Sequence, residues 1–536
     1  MRMARLAASA VGVFGLVLAA AAAAPQLSEP ALAVPQAGPA SAASALASVV
    51  VRPGVIHVGR GGRETPPTTA ECESAYKVAC YVPSQVRAAY DLPALYAGGV
   101  TGKGVTIVIV DSYGSPTIRN DLSVFDQAFG LPAPPSFRII TPAGKIPHYN
   151  PANSDMVGWA GETTLDVEWA HVVAPEANIL LVETPVSETE GTHGFPQIVT
   201  AEEYVLNHHL GDVISQSFSA TEETFPDKAS VQSLRGAYEL ADKDHVTVLA
   251  ASGDSGAADV GLDETTYYQF PVTSWPDSDP LVTGVGGTQL HFAADGTPEA
   301  PTVWNDTYNT ATDEFVNGNP GPSPLAGGGG TSIFFSRPSY QNGVRGVVGD
   351  RRGVPDISMS AACNGSVDIY STFAGAPSGW APTCGTSEAT PLFAGIVALA
   401  DQVAGHPLGL INPALYQLSA EHAPGIVDVT SGDNTVSFSL GGREHTVPGF
   451  RAGPGYSLAS GVGTVNALYF VPELARLAGV SLSQIVTSPS RRSPRPTRVK
   501  GASEREGPGC ARNAGARESG ASPQLFISFI RLTGSK

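Results

Sequence analysis

The chain has 536 residues, with 49 acidic against 31 basic side chains and a formal net charge of −18. Hydrophobic residues make up 42% of it, enough for a large core, so disorder and collagen-like architecture are excluded as whole-chain descriptions. The acidic balance argues against nucleic acid as the main partner.

The N-terminus reads as a secretory signal peptide over residues 1–33. Arg2 and Arg5 precede an unbroken apolar or small run at 6–24, Pro25 ends it, and Ala31-Leu32-Ala33 supplies a small-x-small cleavage pattern. An uncleaved membrane anchor is the alternative, but the run is Ala-rich and only weakly hydrophobic. An exported, extracellular protein with no stable membrane association after signal cleavage is therefore expected. Residues 34–75 read as a short pre-segment or linker, and 76–487 as the functional domain. The stretch 488–536 is basic, mixes Arg, Pro, Ser and Gly, and lacks periodicity up to Phe526; a disordered tail is expected there. Removing it makes the body more acidic than the total charge suggests.

Five cysteines fit export. Sequence neighbours suggest Cys72–Cys80 and Cys363–Cys384 as disulfides, leaving Cys510 in the tail. No CxxC occurs, so a zinc site has no support.

Within the domain, short runs rich in β-branched residues at 105–110, 178–182, 212–218, 246–251 and 281–285 read as strands. Stretches with helical spacing at 121–129, 161–173, 200–210 and 229–243 lie between them. This alternation predicts an α/β fold with a mostly parallel central sheet and helices on both faces. Functional groups in such sheets gather at the C-terminal strand ends, which singles out Asp111, Ser219 and the loop 252–256. A Gly- and Pro-rich stretch, 317–330, reads as a long loop.

Three motifs carry candidate chemistry. Gly161-Glu162-Thr163-Thr164-Leu165-Asp166 puts two carboxyls four apart on one helix face, where a coupled pair holds one proton tightly and can act as an oriented base. Alone, the pair reads more readily as a solvated acidic face. Ala250-Ala251-Ser252-Gly253-Asp254-Ser255-Gly256 follows a strand, so Asp254 can point into the crevice and, if protonated, donate to an oxyanion; an Asp-Gly-type turn explains it equally well. Gly385-Thr386-Ser387-Glu388-Ala389-Thr390-Pro391 leads into an all-apolar helix. Ser387 near its N-terminus suits an acyl-transfer nucleophile, or an ordinary N-cap serine.

Taken together, the three motifs resemble the sedolisins, serine-carboxyl peptidases with a subtilisin-like fold. That family's G-T-S-x-x-x-P segment is matched by 385–391, its G-E-x-x-L-D helix by Glu162 and Asp166, and its S-G-D-x-G loop by Asp254. Further similarity at 171–175, 215–218, 270–288, 328–341, 354–357 and 411–416 extends the resemblance over about 76–465. It implies a Ser387/Glu162/Asp166 triad with Asp254 as oxyanion donor, polypeptide substrates and a monomer. It also implies a calcium loop, for which Asp428, Val429, Gly453 and Gly455 fit; Ser457 stands where the family has an Asp, so weaker Ca2+ binding is expected. The large activation domain usual in the family has only residues 34–75 as its counterpart. Ala220 stands where a Gly-rich wall is expected.

Two alternatives compete. A subtilisin-type Asp111/His193/Ser387 triad has acceptable order, but Pro196 falls where a helix should continue beyond His193. An inactive secreted binding protein would need one of the four positions to be defective. A carboxyl base, unlike a histidine titrating near ~6.5, works in acid, so an acidic optimum is expected.

Overall fold

The β-branched runs assemble the centre of the molecule because each alternates its side chains between two apolar layers. The computed structural model describes residues 56–58, 61–309 and 321–478. Eight strands form the central sheet: β1 (Thr106–Ser112), β2 (Phe137–Ile140), β3 (Asn178–Thr184), β4 (Val213–Gln216), β5 (Thr247–Ala251), β6 (Thr283–Gln289), β7 (Thr302–Val303) and β8 (Ile357–Ser360). Their order is β7-β6-β5-β4-β1-β3-β2, with β8 also paired to β6. Only the β6/β7 pair is antiparallel. On β1, Ile107 and Ile109 enter one apolar cluster, while Val108 and Val110 enter the other. The same period of two places Ile179 and Leu181 of β3 opposite Leu180 and Val182.

Helices cover both faces. On one lie α1 (Ile118–Phe129), α2 (Ser154–Val173), α5 (Thr386–Ala404) and α6 (Ala467–Ala478), through Phe125, Leu165, Phe393 and Phe470. On the other lie α3 (Phe195–Asn207) and α4 (Gly236–Asp244), through Ile198 and Tyr238. Helix α2 is capped by the Asn153 side chain, which accepts from Met156 N–H at 3.1 Å. Every residue of it from 158 to 173 is buried. At Gly395 of α5, a Cβ would lie 2.5 Å from Cβ of Val173, so glycine is what lets α5 pack this closely on α2.

The expected helix 229–243 is two helices, Lys228–Gln232 and α4. Ser233 closes the first, and Arg235, with Nε and Nη2 at 2.6 and 2.9 Å from the Asp279 carboxylate, is the N-cap of the second, which starts at Gly236. Strands β2, β7 and β8 lie outside the expected runs; each is only two to four residues long. A second sheet pairs Ser366–Ser371 with Gly379–Cys384, edged by Cys80–Tyr81 and Ile56–His57. Both expected disulfides, Cys72–Cys80 and Cys363–Cys384, are formed. Val58 and Cys72, within the expected pre-segment, are buried in the body. Of the Gly-rich loop 317–330, residues 321–329 lie against the Asp254 turn: Asp254 C=O accepts from Ala326 N–H at 3.0 Å. Among the described residues no helix is long and apolar enough to cross a membrane; the runs 1–33 and 488–536 lie outside them.

Several carboxyls are buried without a Lys or Arg partner; Asp126 has only His171, 3.4 Å away and itself held down to about 4 by burial. Burial pushes Asp126 up to about 7 and Glu202 up to about 8. Burial, reinforced by Asp212, pushes Asp401 up to about 8. An unfolded chain releases such protons near ~4. The stabilisation is therefore complete below ~4 and is lost as pH rises through about 7 to 8. Thermal midpoints measured from pH 4 to pH 8 should fall steadily; a higher midpoint at pH 8 would contradict this accounting.

Candidate active site

The chain turns from the second sheet into α5 at Gly385, whose φ of 129° is open to glycine and whose Cβ position lies 2.7 Å from Asp254 Oδ2. Ser387 therefore falls in the first turn of α5, where N–H groups have no intrahelical partner and the helix dipole favours negative charge. Four residues on, Pro391 lacks the N–H that would bond to the Ser387 carbonyl. The Ser217 hydroxyl lies 3.4 Å from that carbonyl instead.

Glu162 and Asp166, one turn apart on α2, are both fully buried. Burial holds Glu162 well above the usual carboxyl range, and Asp111 and Asp254 push the same way. The Ser387 hydroxyl favours its ionised form, yet neither Glu162 oxygen has a hydrogen bond of full geometry. The pair is thus in loose approach, as catalytic contacts often are before substrate arrives. Asp166 is raised for the same first reason, burial, with Asp111 and Glu162 adding to it; the Ser217 hydroxyl donates to its Oδ1 at 2.8 Å. Asp111, on β1, completes the group: burial pushes it to about 7. Three carboxyls that interact this strongly share their protons, so none titrates alone.

Asp254 stands across the cleft on the loop after β5. Its Oδ1 accepts from Thr386 N–H and from Thr386 Oγ1, each at 2.7 Å. Both donors fall on Oδ1, and Oδ2 lies on the Gly385 side. The cleft between these groups, about 110 Å3, is lined here by Ser217, Ser219, Ala251, Asp254, Thr386 and Ser387. A serine hydroxyl and Asp254 lining one cleft, with buried Glu162 next to the serine, can perform acyl transfer if Glu162 takes a proton and Asp254 holds one.

All four residues singled out in the sequence converge. Asp111 joins them, but among carboxyls rather than beside a histidine: His193 is exposed and does not line the cleft. Pro196 is in the first turn of α3, so that helix begins after His193 and does not hold it. Ser217 and Thr386 are functional neighbours that the sequence does not single out; their only signals are a strand end and a place inside the nucleophile motif. Ala220 is buried and pairs with Trp275.

The metal loop is only partly assembled. Asp428 is exposed, and its Oδ1 accepts from Gly455 N–H at 3.2 Å. The Ser457 hydroxyl is engaged with Ser460 at 2.9 Å. Among the described residues no group of three or more His, Cys, Asp or Glu side chains is placed to hold a metal ion. Asp428 is the one charged side chain of the expected set, too little for tight binding of a hard cation.

Comparison with known proteins agrees with this geometry. The model of the "Subtilase family" matches residues 153–441, more than half of the chain. Kumamolisin from Bacillus sp. (strain MN-32) is 31% identical over 405 residues, covering 74% of this chain and 63% of that protein. Sedolisin from Pseudomonas sp. (strain 101) is 28% identical over 382 residues, 70% of this chain and 59% of that one. The chain thus spans about three fifths of the length of these curated relatives. A solved Pseudomonas sedolisin (serine-carboxyl proteinase), complexed with two molecules of pseudo-iodotyrostatin, superposes with a TM-score of 0.60 at 24% identity, over 75% of this chain and 99% of that one. At that identity the likeness speaks for the fold.

Proposed function

The chain belongs to the subtilase family, on its sedolisin branch, and on that premise we propose that it is an exported, acid-acting serine-type peptidase that hydrolyses peptide bonds in polypeptide substrates. The observation that carries this reading is Ser387 in the first turn of α5, facing buried Glu162, with Asp254 across the same cleft.

Ser387 Oγ attacks the scissile carbonyl carbon and its proton passes to Glu162. Asp166, held by Ser217, keeps Glu162 in place. The carbonyl oxygen, now negative, accepts hydrogen bonds from the Ser387 N–H and from protonated Asp254. Glu162 returns the proton to the leaving amine as the C–N bond breaks. Water then repeats the cycle on the acyl-enzyme, giving the free acid and restoring Ser387.

The pH range follows from the groups. Glu162 must be ionised to take the proton, against burial, Asp111 and Asp254, so the acid limb of activity is set by the first proton that its coupled cluster gives up. Asp254 must keep its proton to donate, so activity ends as pH rises. Export is supported by the leader-like N-terminus and by two disulfides. Activity as a monomer, without nucleic acid or membrane, is part of the same reading. Asp428, Val429, Gly453 and Gly455 would hold a structural Ca2+ that stiffens the loop near Ser457.

Ser387→Ala should lower hydrolysis of an unfolded protein about 10^4-fold or more. Asp254→Ala should cost about 10^2–10^3 in kcat. In pH–rate profiles run side by side, wild type should peak in acid, Glu162→Ala should be inactive and His193→Ala should match wild type. An optimum above neutrality lost in His193→Ala would replace this reading by the Asp111/His193/Ser387 triad, and full activity of Ser387→Ala would leave a binding protein. Millimolar calcium should raise the thermal midpoint by about 2 °C or less, and Asp428→Ala should abolish that shift; a much larger rise would mean ligands beyond this loop.

A further inference from the structure

The first turn of α5 sends its three side chains to three places. Thr386 reaches Asp254, with its N–H and Oγ1 each 2.7 Å from Oδ1. Ser387 lines the cleft. Glu388 turns to the interior and is fully buried. The Ser360 hydroxyl, on β8, faces its carboxyl. Tyr90 stands at the same place. Its hydroxyl accepts from Ser360 N–H at 2.7 Å, and Glu388 adds to the burial that keeps it neutral.

This pocket is short of hydrogen bonds. Neither Glu388 oxygen has a bond of full geometry, nor has Ser360 Oγ or the Oγ1 of Thr288, the register partner of Ser360 on β6. Burial holds Glu388 well above the usual carboxyl range, and among the described residues no Lys, Arg or His bears on it. Nor is it part of the cleft group: Asp111 bears on Glu162 and Asp166, and Asp254 on Glu162, but Glu388 bears on neither. A helix dipole favours an ionised acid in a first turn, and a buried neutral one forgoes that gain. A leucine of similar size would need neither proton nor partner here. Proteins carry such a cost where a reactive group has to be held in place.

The strand beneath supplies the geometric reason. Ala361, next to Ser360, accepts from Gly385 N–H at 2.8 Å, and Cys363 is joined to Cys384. The end of β8 thus holds the chain just before the turn. Glu388 N–H then closes the turn on Gly385 C=O at 2.9 Å, and its side chain returns to the same strand end. Ser387 lies between these two attachments.

We propose that Glu388 is a positioning residue for Ser387: its side chain seats the first turn of α5 on Ser360 and Tyr90, apart from the Thr386–Asp254 contact, and so fixes the direction of the Ser387 hydroxyl and N–H. The inference rests on the peptidase reading of Ser387. As a neutral acid Glu388 both donates and accepts, so it can satisfy Ser360 Oγ in either sense. It takes no part in proton transfer.

The test compares Glu388→Leu, Glu388→Gln and Ser360→Ala on one peptide, with rates per folded molecule. Glu388→Leu keeps the volume and loses the polar contact. Its kcat should fall about tenfold or more with KM within about threefold of wild type, while its thermal midpoint stays level or rises. Glu388→Gln keeps a neutral group that donates and accepts, and should restore kcat to within about threefold of wild type. Ser360→Ala should lower kcat about threefold or more, and adding it to Glu388→Leu should cost nothing further. A residue that only supports the fold would move the midpoint and leave kcat per folded molecule unchanged. Wild-type kcat in Glu388→Leu, or a loss in Glu388→Gln as deep as in Glu388→Leu, overturns the proposal while the peptidase reading stands. Wild-type kcat in Ser360→Ala does the same, and decides alone if the Leu variant fails to fold. If wild type cleaves no peptide, the peptidase reading fails, and crystal structures decide instead. Ser387 Oγ should then sit about 0.5 Å or more from its wild-type position in Glu388→Leu, and coincident positions overturn the proposal.

Discussion

The contact between α2 and α5 is what the rest of the site depends on. Glu162 and Asp166 are on one helix and Ser387 is on the other, so their geometry is only as good as the packing between the two. Gly395 against Val173 sets that distance. Burial of nearly every residue on both helices leaves neither free to rotate. The central sheet lies beneath them and contributes Asp111 from β1 and the Asp254 turn from the end of β5. A loop-borne nucleophile would not inherit this rigidity. Here the candidate nucleophile is the second residue of a largely buried helix, tied through Gly385 to the Cys363–Cys384 disulfide immediately before it.

Packing two acid-bearing helices this tightly has an electrostatic consequence. Carboxyls that meet inside a core cannot all be ionised, and this chain places few bases beside them. Arg352 neutralises Asp356 in the interior, and Arg235 meets Asp279. Asp111, Glu162 and Asp166 have no such partner and are held above their usual range. The protein is thus built to keep protons, both in its candidate catalytic group and in structural positions such as Glu202 and Asp401. A low Lys and Arg content serves the same end, since fewer positive charges repel one another once the surface acids protonate. Acid stability follows from that cause, whereas the proposed acid action needs the coupled cluster to give up one of its protons.

Much of this is legible in the order of the amino acids alone. The five strand runs all form strands of the central sheet, because fully apolar, β-branched runs fit only a sheet covered on both faces. The four residues of the candidate site are each marked by a short motif with fixed spacing. Features without a local signature are the ones that escape. The stretch 229–243 has continuous helical spacing, but it breaks at Ser233–Arg235, where Arg235 bonds to Asp279, 44 residues away. Strand β2 is a half-exposed edge strand, so it lacks the unbroken apolar run that marks the others. Asp111 stands out in the sequence as a strand-end acid, but its neighbour does not, since chain order alone allows either a histidine or a carboxyl beside it.

The sequence by itself determined the fold class, suggested the two disulfides and, through the resemblance its three motifs carry, pointed to the candidate nucleophile, base and acid, because periodicity and short motifs are local properties. The tertiary structure decided which acids meet, which lose their water, and which residues hold them in place. Ser217 on Asp166, Thr386 on Asp254 and buried Glu388 beside Ser360 are all relations between distant segments. Proton affinity depends on burial and on neighbouring charge, and both exist only once the chain has folded. The net charge of −18 told of an acidic protein; only the packing decided which of those acids keep their protons.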